Sequence, residues 1–136
     1  MSAATTAKIH HICLSIKDLE ASLLFYDRVM PLMGWNERRS KKSTAYSNGA
    51  YEIYLEKSKE SDKPFYRYGI GLQHIAFNAP SRDAVDHLYQ SLQEINAAVT
   101  GPPKEYPQYH EHYYAVFFKD PSGIQLEFCY TQGFRF

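Results

Sequence analysis

An α+β fold with a mainly antiparallel sheet is the architecture this sequence predicts, and three observations predict it. A strand-and-helix pattern occurs twice. Residues 9–26 and 72–89 align at an offset of 63, which sets His11 on His74, Ile12 on Ile75, Leu14 on Phe77, Ala21 on Ala84 and Tyr26 on Tyr89. Each copy is followed by short strands instead of another helix, and such runs favour α+β over strict alternation. Turn sequences, Asn48-Gly49 and Asp120-Pro121-Ser122-Gly123, separate strands within those runs, as hairpins require.

Taken in order, residues 8–16 read as a buried strand, with β-branched Ile9, Ile12 and Ile16 among mostly apolar neighbours. Asp18 is a good N-cap for the following helix, and Glu20 lies in its first turn, where the macrodipole favours negative charge. Phe25, Val29 and Leu32 fall on one helical face. Pro31 is expected to kink or end this helix and Gly34 to weaken it. Strands are predicted around 35–39, 43–47 and 50–56, and the polar stretch 57–70, with Pro64, reads as the link between modules.

The second unit opens with a strand over 71–79. Ser81 caps a helix whose Val85, Leu88, Leu92 and Ile95 share a face, while His87 falls toward solvent. Gly101-Pro102-Pro103 is expected to stop regular structure, and Pro107 to keep the next loop irregular. Strands follow at 113–119 and 124–130, joined by a type I turn with Asp120 first, Pro121 second and Gly123 last. One domain therefore spans 8–130, with module one at 8–57, module two at 71–130, and 1–7 and 131–136 as flexible tails. Neither half can bury its sheet face alone.

The bulk composition excludes several function classes. Lys plus Arg and Asp plus Glu both number 15, so no overall field favours nucleic acid or an anionic membrane. The run Arg38-Arg39-Ser40-Lys41-Lys42 reads as a solvated edge strand or turn. No apolar run approaches the ~20 residues a membrane helix needs. Met1 to Ala7 lacks the pattern of a secretory signal. Two cysteines, Cys13 and Cys129, are too few for a disulfide framework, so each is expected as a small buried hydrophobe in a reducing, cytoplasmic setting.

Alternation along a strand sets the candidate site. His11 shares a face with Cys13, His74 with Ala76 and Asn78, and Glu127 with Cys129, whereas His10 is expected to face the other way. Leu126 and Phe128 would bury under a helix, leaving Glu127 pointing into whatever the sheet encloses. A carboxylate in so apolar a strand is costly unless paired or metal-bound. Two imidazoles and one carboxylate suit a divalent metal with open positions: Zn, Ni, Mn, Co or Fe. His110, in Tyr109-His110-Glu111-His112-Tyr113-Tyr114, is a candidate general acid or base. Tyr54, Tyr113 and Phe117 are candidates to floor an aromatic substrate pocket.

Three segments together resemble the vicinal oxygen chelate superfamily, which includes glyoxalase I, extradiol dioxygenases, fosfomycin-resistance proteins and bleomycin-binding proteins. They are His11-Ile12 through Lys17-Asp18-Leu19-Glu20 to Phe25-Tyr26, then Gly71-Leu72-Gln73-His74-Ile75-Ala76-Phe77, and Phe117-Phe118-Lys119-Asp120-Pro121-Ser122-Gly123-Ile124-Gln125-Leu126-Glu127. The resemblance implies two βαβββ modules whose curved sheet wraps a cavity, with metal ligands at His11, His74 and Glu127. Many metal-dependent members take a fourth ligand from the last strand of module one. Here Glu52, Tyr54 and Glu56 share one face there and none falls cleanly in register, so three ligands fit better and Glu56 is the second choice. The implied function is a small metal-dependent enzyme, of lyase or isomerase type before dioxygenase, acting on a small molecule with vicinal oxygens and forming a homodimer. The alternative is a metal-free binding or resistance protein on the same fold. Modules in this family pair within one chain or between two, in which case His11 of one chain faces His74 of the other.

Overall fold

The computed structural model describes residues 5–132 apart from residue 61. Module one comprises β1 (His11–Ile16), α1 (Leu19–Leu32), β2 (Asn36–Arg39), β3 (Thr44–Ser47) and β4 (Glu52–Lys57). Module two comprises β5 (Ile75–Asn78), α2 (Arg82–Glu94), β6 (Ala98–Glu105), β7 (Tyr113–Lys119) and β8 (Gln125–Thr131). Each module is thus βαβββ and builds a four-stranded sheet, ordered β1-β4-β3-β2 and β5-β8-β7-β6. The first strand of each module runs parallel to the last, and the remaining pairs are antiparallel.

The helices start and stop by the same devices. Asp18 Oδ1 accepts from Ala21 N–H at 2.8 Å, and Ser81 Oγ accepts from Ala84 N–H at 3.1 Å, so one orphan donor at each N-terminus has its cap. Pro31 lies inside α1, one residue from its end. The helix stops because Gly34 takes a left-handed φ of 84°, letting Trp35 N–H reach back to Met30 O at 2.9 Å. Asn96 (φ 55°) does the same for α2, with Ala97 N–H donating to Leu92 O at 2.9 Å. The helix ends repeat, as the sequence does.

Both helices and the apolar faces of both sheets share one core. Leu14, Ile16, Tyr46, Ile53 and Leu55 of module one join Phe77, Val116, Phe118, Leu126 and Phe128 of module two, with Val29, Met30, Val85, Leu88 and Leu92 from the helices. Specific contacts cross the boundary. The rings of Phe25 and Phe118 lie 6.2 Å apart and those of Trp35 and Phe77 5.6 Å apart. Buried Tyr26 Oη donates to buried Asp120 Oδ2 at 2.8 Å, and Lys17 N–H donates to Ser122 Oγ at 2.8 Å. The other face of each sheet lies outside this core and holds the alternate residues: His11, Cys13, Tyr54 and Glu56 on one, Tyr113, Phe117, Glu127 and Cys129 on the other.

Several expectations need correction. Gly101-Pro102-Pro103 does not interrupt structure, because β6 runs through it. β6 is an edge strand, where a missing N–H is tolerated, and register shifts on both sides of Gly101 absorb the irregularity. A Cβ on Gly101 would meet Tyr106 Oη at 2.9 Å and Phe117 Cδ2 at 3.2 Å, so the strand needs glycine there. The opening strands are shorter than expected, beginning at His11 and Ile75. β8 extends to Thr131, paired with Tyr113, so Thr131 is not tail. The expected tails at 1–4 and 133–136 lie outside the described residues. Cys13 is exposed, not buried, because no element among the described residues covers the outer face of β1. No helix among the described residues is long and apolar enough to cross a membrane.

Candidate metal and substrate site

The outer face of module two carries the most developed site. Tyr113, Phe117, Gln125, Leu126 and Glu127 from β7 and β8, with His74 and Gln73 at the mouth of β5 and Arg67 and Tyr109 from loops, line a cavity of about 390 Å³. Glu127 is only 3% exposed. Its Oε1 lies 3.5 Å from His74 Nε2, and its Oε2 accepts from Tyr113 Oη. Burial, with the carboxylate and Cys129 beside it, pushes the Tyr113 phenol far above its ordinary pKa, so it stays protonated and keeps donating.

Hydrogen-bond logic fixes the tautomer of His74. Gln73 Oε1 accepts from Arg67 Nη2 at 3.2 Å. A guanidinium can only donate, so the atom facing it is the amide oxygen. The same oxygen contacts His74 Nδ1, which must therefore carry the proton and donate. Nε2 of a neutral imidazole then presents a lone pair toward a buried carboxylate oxygen. Two acceptors face each other across 3.5 Å, an arrangement that wants a cation between them or a proton on Nε2. The donor set, one imidazole nitrogen and one carboxylate, fits a divalent metal.

Module one places its candidates on a separate surface. His11, Cys13, Tyr54 and Glu56, with His10, Lys42, Ser43 and Leu55, line a cavity of about 490 Å³. The His11 and Tyr54 rings meet edge-on at 5.5 Å. His10 does not face away as alternation suggests. It precedes the first residue of β1, is not bound by the pleat, and its Nδ1 lies 2.9 Å from that of His11. Cys13 Sγ donates to Glu56 Oε2 at 3.6 Å, and burial followed by that carboxylate raises the thiol pKa. Both arginines of the basic run are paired: Arg38 with Glu52 at 3.0 Å, and Arg39 with Asp27 at 2.7 Å and Glu37 at 3.1 Å.

Strand register identifies the counterpart of Glu127 in module one. Glu127 pairs with Ala76, and the repeat offset of 63 maps Ala76 onto Cys13, which pairs with Tyr54. Tyr54 is therefore the register counterpart of Glu127, with Glu56 one pleat further on. Among the described residues, no group of three His, Cys, Asp or Glu side chains within the chain lies close enough to hold a metal. His74 and Glu127 are brought together, while His11 is on the other module. His110 sits exposed in the loop before β7, its Nδ1 2.6 Å from the Glu111 carbonyl oxygen. Its neighbour Tyr109 is the one that lines the cavity. Gln73 and Arg67 escaped the sequence reading. Gln73 is adjacent to a candidate ligand, but nothing in the linker pattern singles out Arg67.

Comparisons with known proteins bear on the family and the fold. The uncharacterized protein YqjT of Bacillus subtilis is 29% identical over 122 residues, covering 88% of this chain and 95% of its own. The metallothiol transferase FosB of Lysinibacillus sphaericus is 29% identical over 126 residues, covering 91% and 82%. The crystal structure of a glyoxylase/bleomycin resistance protein/dioxygenase domain from Frankia sp. EAN1pec superposes with a TM-score of 0.76 at 25% identity, covering 96% of each chain. The profile of the Glyoxalase/Bleomycin resistance protein/Dioxygenase superfamily matches residues 8–128, and with two βαβββ modules and this match the chain belongs to that superfamily.

Proposed function

We propose that this protein is a small metal-dependent enzyme, of lyase, isomerase or transferase type, acting on a small molecule with adjacent oxygens. His74 and Glu127 would hold a divalent metal (Zn, Ni, Mn, Co or Fe), and His11 of the partner subunit would complete the set in a homodimer. The observation that carries this reading is the facing of His74 Nε2, on a partly exposed imidazole at the cavity mouth, and Oε1 of the buried Glu127 carboxylate at 3.5 Å. Two further features support it. Each module leaves one sheet face uncovered, and the missing histidine stands on the face of the other module. The relative FosB is named as a metallothiol transferase.

The chain's own residues have definite tasks in this reading. Gln73 accepts the Nδ1 proton of His74 and aims Nε2 into the cavity, as outer-shell partners of ligating histidines do. Tyr113 fixes one oxygen of Glu127 and leaves the other free. Tyr54 stands where a fourth ligand would be, so three protein ligands leave positions for substrate. When bound, the metal supplies Lewis-acid polarisation of substrate oxygens. Phe117 supplies an apolar wall to the cavity. His110, on the loop that brings Tyr109 to the cavity, is the candidate proton carrier.

Metal analysis of the purified protein beside His74→Ala tests the reading. The account expects stoichiometric divalent metal in the parent and its loss in the variant. Parent protein that binds no divalent metal would leave the metal-free binding reading, which the aromatic lining of Tyr109, Tyr113 and Phe117 favours.

A further inference from the structure

Arg67 is an unusual group in this molecule. It lies in the connection between modules, yet lines the same cavity as His74 and Glu127. Its Nη2 donates to Gln73 Oε1 at 3.2 Å, and its guanidinium rests 5.2 Å from the centre of the Tyr68 ring. Its Nε is shielded from solvent and has no hydrogen-bond partner among the described residues. No carboxylate among them lies within 4.0 Å of it, whereas Arg28, Arg38, Arg39 and Arg82 all have one. A shielded donor left unsatisfied is unfavourable, and a guanidinium's planar fork is built to take an oxyanion.

We propose that Arg67 is a substrate-binding residue that receives an oxyanion group, carboxylate or phosphonate, of a small organic acid whose flat apolar body lies against Tyr109 and Phe117. The geometry gives the ligand two ends. Arg67 is the only Lys or Arg among the nine residues lining the cavity, so it decides where a negative group settles. Tyr109, 61% exposed, stacks on Tyr106 at 5.7 Å and meets Tyr113 edge-on at 5.5 Å, which holds an open aromatic face at the rim. Because Gln73 Oε1 is shared by Arg67 and His74, an anion on Arg67 also fixes the acceptor that sets the His74 tautomer. This deepens the reading of the His74–Glu127 cavity as a substrate site and rests on it.

The test is calorimetric titration of the full-length protein, with and without zinc, using phenylphosphonate and benzoate as anionic probes and benzamide as the neutral one. Wild type is expected to bind the anions more tightly than benzamide. Arg67→Met, which keeps the apolar stem, is expected to weaken both anions about tenfold or more, compared at saturating zinc and in its absence, with benzamide affinity unchanged. Arg67→Lys is expected to fall between the two, since it keeps charge but loses the fork. Anion affinity within about twofold of wild type in Arg67→Met would overturn the proposal, because an anion held by the metal alone is indifferent to Arg67. Equal loss of benzamide would overturn it too, since that would make Arg67 a packing residue. A protein that binds no zinc but still loses anions in Arg67→Met refutes the metal reading and upholds this one.

Discussion

Replacing Asp120 with alanine should unfold the join between the two modules more readily than almost any other single polar change. Asp120 sits in the β7–β8 turn and is 4% exposed. One oxygen accepts from Tyr26 Oη of α1 at 2.8 Å, and the other from Ser122 N–H at 2.9 Å and Ile124 N–H at 2.8 Å. Alanine leaves the Tyr26 hydroxyl, on a residue 1% exposed, without a partner. An orphaned buried donor costs about 1–3 kcal/mol, and loss of the turn bonds adds about 1–2 kcal/mol. Relief of the buried charge offsets part of this, so the expected loss is about 3 kcal/mol. Tyr26→Phe removes only the hydroxyl and should cost about 1–2 kcal/mol, with a coupling of about 1.5 kcal/mol in the double-mutant cycle. Urea denaturation at fixed protomer concentration, followed by far-UV dichroism and the fluorescence of buried Trp35, measures all four proteins. A loss under about 1 kcal/mol for Asp120→Ala, or strict additivity with Tyr26→Phe, would refute the reasoning.

The same residue gives a pH dependence. Burial pushes the Asp120 carboxyl above its ordinary value of 3.8, and its hydrogen bonds only partly counter this. The folded chain therefore takes up this proton more readily than the unfolded one. Its contribution to stability grows as pH falls from neutral through the raised folded value toward 3.8. Asp120→Asn keeps an acceptor for the turn and has no proton to gain. Wild type should gain on this variant between pH 7 and pH 4, roughly the window set by the raised and ordinary values; a gap that shrinks on acidification would contradict the assignment.

Two further outcomes follow from named contacts. Tyr113→Phe should lower divalent-metal affinity of the folded protein about tenfold to a hundredfold, read by competition with a chelating dye. Unchanged affinity would mean that Tyr113 does not orient Glu127. Gly101→Ala should destabilise by about 1–3 kcal/mol by driving a methyl group against Tyr106 and Phe117; a neutral effect by thermal melting would show that β6 can yield there.

Much of this architecture was legible because the two modules use the same local chemistry. The caps at Asp18 and Ser81, the Asn48 hairpin and the Asp120 turn are local signals, satisfied by backbone groups within a few residues. β6 was not legible, since Gly101-Pro102-Pro103 reads as a breaker unless the strand is known to lie at a sheet edge. The fourth-ligand position could not be chosen by parity. The connection after Gly49 is one residue longer than that after Gly123, and only the pairing of Cys13 with Tyr54 resolves the shift. Cys13 looked buried because the strand is apolar, but the face it occupies is uncovered among the described residues. Arg67 and Gln73 reach the cavity through tertiary geometry that no spacing rule encodes.

The central claim is that the metal site is built by module two of one subunit and module one of the other. Differently tagged His11→Ala and His74→Ala chains, co-expressed and purified through both tags, yield a dimer with one intact site and one lacking both histidines. Each variant alone should be metal-depleted, while the mixed dimer should hold about half the wild-type metal content, as two-fold symmetry requires. A mixed dimer as empty as its parents would contradict the account.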